Sequence, residues 1–145
     1  MNLFSYMKNL KLEEALEGFE NILNSLVNEF GEGHKRIATA LHNLAIVHLR
    51  MDNFEDAAES IELAIKIRKE LFGDEHYRVA DLLVELGIIL LEQHKFEESL
   101  DVFNEAFDIR EKELAKTPEN EKNSVKIQLA EILNNIGCVN FEYGK

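Results

Sequence analysis

Sliding the 145-residue chain along itself by 42 positions brings like residues together over most of its length, and this repeat limits the fold more than any other feature. Glu13, Ala15, Glu17 and Glu20 fall on Glu55, Ala57, Glu59 and Glu62. Phe30, Gly31, His34, Arg36 and Ala38 fall on Phe72, Gly73, His76, Arg78 and Ala80, and Leu41 and Leu44 on Leu83 and Leu86. One further step carries Phe54, Ala64, Ile67 and Arg68 onto Phe96, Ala106, Ile109 and Arg110. The stretch Ile37 to Gly73 holds one complete copy.

Within that copy Ile37, Leu41, Leu44, Ala45, His48 and Leu49 share one face at helical spacing. Phe54, Ala57, Ala58, Ile61, Ala64, Ile65, Leu71 and Phe72 do the same in a second helix. Met51, Asp52 and Asn53 form the turn, where Asn53 is placed to accept from the first amides of the next helix. Gly31 and Gly73 sit where a left-handed residue ends a helix. Small residues recur at Ala45, Ala57 and Ala64, then at Gly87, Ser99 and Ala106, so the helices approach closely there. A lone hairpin cannot bury both its apolar faces, whereas stacked neighbours can. The expected fold is all-α: a solenoid of antiparallel helix-turn-helix hairpins.

These residues resemble the tetratricopeptide repeat (TPR). Leu41, Leu44, Ala45, Ala57, Ile61 and Ala64 fit its large and small positions, as do Leu83, Leu86, Gly87, Ser99, Phe103 and Ala106. The 42-residue spacing, with LHNLA, IKIR, FGEGHKRIA and FGDEHYRVA, is similar to the kinesin-light-chain subtype, although Lys35 and Tyr77 stand where that subtype carries proline. The resemblance implies a right-handed superhelix whose concave face is lined by the first helix of each unit. It carries that role onto Thr39, His42, Asn43, Ile46 and Arg50; onto Asp81, Val84, Glu85, Ile88 and Glu92; and onto Glu131, Asn134, Asn135, Cys138 and Glu142. Asn43 and Asn135 offer a donor and an acceptor to a peptide backbone, and Val84 and Ile88 offer apolar contact.

The register divides the chain into a partial first helix (1–10), a second helix and connector (11–36), a full repeat (37–78), a second full repeat (79–128) and a lone first helix (129–145). Leu83 to Leu133 is 50 residues, eight beyond the repeat, so the second copy is expected to carry a loop insertion at 111–126 around Pro118. Both ends fall inside hairpins, so a longer parent array is expected, and the alternative to groove binding is an architectural segment of a longer superhelix, or self-association through open array ends by the apolar surface around Leu133, Ile136 and Val139, with no groove ligand.

Carboxylates outnumber Lys and Arg 28 to 16, a net charge of −12, which argues against nucleic-acid or anionic-membrane partners. A protein or peptide carrying basic residues fits the acidic groove, and its affinity should fall with salt. Cys138 is alone, so no intrachain disulfide can form; it reads as a small buried side chain in a reducing cytoplasm. His34 and His76 occupy equivalent connector positions and His42 and His48 are six apart, which points to structural roles and not to a metal. Without a phosphate loop, a nucleophile motif or an acid and base pair, neither an enzyme nor a cofactor is expected.

Overall fold

The computed structural model describes residues 2–145, the side chain of Phe4 excepted; Met1, the start of the expected half-helix, lies outside the described residues. Among them are six α-helices and no strand: α1 (Leu3–Phe30), α2 (Lys35–Arg50), α3 (Phe54–Phe72), α4 (Tyr77–Glu92), α5 (Phe96–Lys116) and α6 (Lys122–Tyr143), with a 3-10 turn at Glu119–Glu121. They fall into two compact units, one running through Leu71 and the other from Phe72 to Lys145.

In the first unit α1 packs on α2. Its core is Ile37, Ala38, Leu41, Leu44 and Ala45 of α2 with Ala57, Ile61, Ala64 and Ile65 of α3, which follows the stripes read from the sequence except that Leu71 and Phe72, at the end of α3, are exposed. The turn between them places Asp52 at φ 58° and closes with the Asn53 amide on the His48 carbonyl at 2.8 Å. The turn of the next copy is its double: His94 stands at φ 59° and the Lys95 amide reaches the Leu90 carbonyl at 2.9 Å. Such six-to-one closure stops a helix, and Asp and His tolerate its left-handed residue better than aliphatic side chains do.

That requirement corrects the expected break between residues 1–10 and 11–36. The residue in register with Asp52 is Leu10, which strongly favours continued helix over the left-handed conformation, worth roughly 1–2 kcal/mol. The helix accordingly runs unbroken for 28 residues from Leu3 to Phe30. The expected loop at 111–126 is corrected on the same grounds. Ala115 stands in register with Gly73, so α5 does not stop there but continues to Lys116. Pro118 then ends it, with Thr117 held extended at ψ 135°, and α6 begins at Lys122. The extra residues are mostly helix.

In the second unit α5 packs on both α4 and α6, and α4 touches α6. Phe103 is fully buried against Gly87: a Cβ on that glycine would lie 2.6 Å from the ring. The Ser99 hydroxyl donates to the Gly87 carbonyl at 2.7 Å, so the small residues do fix a close helix approach.

The connectors before α2 and α4 share one construction. Gly31 (φ 83°) and Gly73 (φ 91°) turn the chain through conformations only glycine adopts freely. His34 and His76 then cap the next helix, their Nδ1 atoms accepting from the Arg36 amide at 3.1 Å and the Arg78 amide at 3.2 Å. Each imidazole stacks on the phenylalanine before it, with centroids 4.5 Å apart for Phe30 and 4.7 Å for Phe72. Arg36 and Arg78 lie over the same rings.

Candidate functional site

The residues assigned to the concave face lie on α2 in the first unit and on α4 and α6 in the second. None is fully buried. On α2, Thr39 and Arg50 are exposed and His42, Asn43 and Ile46 half-buried. On α4, Asp81, Ile88 and Glu92 are exposed and Val84 and Glu85 half-buried; on α6, Glu131, Asn134 and Cys138 are exposed and Asn135 and Glu142 half-buried. The exposure of Cys138 corrects its reading as a buried side chain: on α6 the buried stripe is Val125, Leu129, Ile132 and Val139, and Cys138 falls off it.

The acidic character of these faces is reduced by pairing. Asp81 is held by Arg110, a guanidinium only 3% exposed that also meets Glu113 at 2.7 Å and lies over the Tyr77 ring at 5.7 Å. A buried guanidinium needs such partners, because an unpaired charge there is strongly destabilising. Glu142 meets Lys145 at 3.1 Å. Asp81 therefore anchors α5 to α4 before it can greet a ligand. A signal for this was present: Arg110 follows Ile109 inside an apolar stripe, and an arginine so placed requires a carboxylate.

Two concavities are formed by residues of a single unit. The first, about 280 Å³, lies between α1 and α2 and is lined by Phe19, Ile22, Leu26, Arg36, Thr39, Ala40 and Asn43. It joins two of the assigned residues, Thr39 and Asn43, to an apolar face of α1 that the assignment did not include. The second, about 390 Å³, sits where α5 hands over to α6, among Glu75, His76, Tyr77, Lys112, Lys116, Thr117 and Ser124, and contains none of the assigned residues. There Lys112 donates a hydrogen bond to Glu75; that bond holds the carboxyl below its usual range and raises the lysine above its own. At the far end of the unit Tyr143 donates to Glu97 at 2.9 Å, which raises the tyrosine. No group of three His, Cys, Asp or Glu residues able to hold a metal occurs among the described residues.

Paired helices, small-residue contacts and repeated connectors define a helical-repeat protein of the solenoid class. The tetratricopeptide-repeat profile matches residues 4–70 and 36–112, well over half of the chain, and the chain belongs to that family. The solved structure of BtubC (BKLC) from P. vanneervenii superposes with a TM-score of 0.80 at 22% identity, covering 92% of this chain and 50% of that one. A putative kinesin light chain from Podosopora anserina with nearly identical TPR-like repeats gives 0.67 at 20% identity, covering 92% of this chain and 63% of that one. A substituted form of the latter gives 0.68 at 20%, with 92% and 62% covered. At these identities the likeness is one of fold, and the chain spans between half and just under two thirds of the solved chains' lengths. No curated protein sequence matches it. Among the described residues no helix is long and apolar enough to cross a membrane.

Proposed function

We propose that the chain is a protein-interaction module that holds a peptide or partner helix against its first-type helices, α2 in the first unit and, separately, α4 and α6 in the second. Repeats of this family generally mediate protein–protein contact. The observation that carries the reading here is Ile88. On α4, Val79, Leu82, Leu83, Leu86, Ile89 and Leu90 are buried, while Ile88 remains 38% exposed between Glu85 and Glu92, three residues before and four after it. An apolar anchor between carboxylates suits a segment that alternates aliphatic and basic side chains. Glu131 adds to that field from α6, whereas Asp81 is already committed to Arg110. We place the module in the cytoplasm, where a single exposed thiol such as Cys138 stays reduced.

The test is a peptide array of lysine- and arginine-containing segments probed with the chain and with Ile88→Glu. The expected loss is at least about tenfold in affinity, or about 1.4 kcal/mol, and the remaining affinity should fall as salt is added. Equal binding by both forms, or preference for acidic peptides, would remove the proposal.

A further inference from the structure

The chain carries one solved example of how a first-type helix receives a second-type helix, and at two other places each half of that contact stands alone. In the example, Phe103 of α5 lies in the notch left by Gly87 of α4, and both Leu83 and Ala106, one helical turn away on either helix, are buried. In repeat register, Gly137 of α6 corresponds to Gly87, and Leu133 to Leu83. Nothing approaches within 4 Å of a Cβ placed on Gly137, and Leu133 is 54% exposed.

On α1, Phe19 and Ile22 correspond to Phe103 and Ala106. Phe19 lines the open groove of about 280 Å³, and Ile22 is 51% exposed. The notch belonging to Phe19 would be at Leu3, in register with Gly87. Because α1 runs unbroken, Leu3 lies on the same helix, about 24 Å along its axis, and cannot cover Phe19.

We infer that α6 of one copy and α1 of a second copy form a composite hairpin, antiparallel, with Phe19 seated over Gly137 and Ile22 against Leu133. The register that matches these pairs also sets Lys126 beside Glu29, opposite charges at the positions of His76 and Glu113, which line one pocket in the second unit. The stripe used on α6, Leu133 and Gly137, is separate from the Asn134 and Cys138 stripe proposed for ligand, whereas on α1 Phe19 shares its groove with Thr39 and Asn43, so association covers that part of the ligand face. The contact joins unlike surfaces, so association proceeds head to tail. It works against a net charge of −12 on each copy, and screening by salt therefore strengthens it.

Sedimentation velocity on the whole chain over a wide concentration range tests this, with far-ultraviolet circular dichroism on each variant. Gly137→Leu fills the notch without meeting a neighbour in its own chain, and Ile22→Glu places a charge on the opposing face; Leu133→Glu serves as an independent block of the α6 end. The wild-type chain is expected to grow into oligomers, and each variant alone to lose that growth while keeping its helicity. Gly137→Leu mixed with Ile22→Glu is expected to give a one-to-one dimer and nothing larger, since each supplies the end that the other lacks. A monomeric wild-type chain, a Gly137→Leu form that still associates through α1 alone, or a mixture that stays monomeric would each overturn the inference.

Discussion

A single hydrogen atom at Gly87 sets how near α4 and α5 come. Phe103 fills that space, and its side chain is fully buried. Gly→Ala in a helix ordinarily stabilises by about 1 kcal/mol, while one extra methyl in a closed core costs about 1–3 kcal/mol. At a Cβ-to-ring distance of 2.6 Å the overpacking wins. Gly87→Ala is therefore expected to lower stability by roughly 1–2 kcal/mol in urea unfolding. Phe103→Leu is expected to recover part of that loss in the double variant although it is harmful alone, the non-additive outcome of two residues sharing one space. A Gly87→Ala form more stable than wild type would show that the ring yields freely. The same reasoning separates Gly87 from Gly137, alike in sequence register but open in the fold, where a larger residue is accommodated within the chain.

The connectors show what the sequence could and could not reveal about the helices. Phe-Gly-x-x-His-x-Arg recurs as a motif, so its structural use was legible; that the histidine works through Nδ1 as a cap, stacked on the phenylalanine, was not. His76→Ala is expected to cost about 1 kcal/mol by loss of the cap, with His76→Asn recovering the acceptor but not the ring contact; thermal unfolding of the three forms checks the order. An alanine form as stable as wild type would show that the cap contributes nothing. Helix existence and the buried stripes of α2 to α5 followed from periodicity, because burial there is decided within one or two turns. Helix ends did not follow from repeat register alone. They depend on single residues that tolerate a left-handed backbone, and Leu10 and Ala115 replace those residues where the repeat called for a stop. That Arg110 needs a carboxylate could be read from its place in an apolar stripe; that Asp81 supplies it could not, the two being 29 residues apart on different helices.

Across the molecule, 28 acidic against 16 basic side chains leave a net charge of −12, a surplus of carboxylates that local pairing cannot remove. Glu75, with its pKa lowered by the Lys112 hydrogen bond, contributes stability above its unfolded range and loses it as pH falls. Lys112 and Tyr143, both raised, contribute below their unfolded values and lose that contribution as pH rises through the folded ones. Near neutrality all three contributions are therefore in place, and salt can be varied alone. It acts in two directions: it weakens exposed pairs such as Lys122 with Glu119, and it relieves repulsion among the surplus carboxylates. The surplus is the larger quantity, and the part-buried pair of Arg110 with Asp81 is screened less than fully exposed ones. The melting temperature is thus expected to rise from low to moderate salt at neutral pH. Measuring it on the Gly137→Leu form removes association as a source of apparent stability. A melting temperature that falls with salt would mean that the exposed ion pairs outweigh the net charge in holding this repeat protein together.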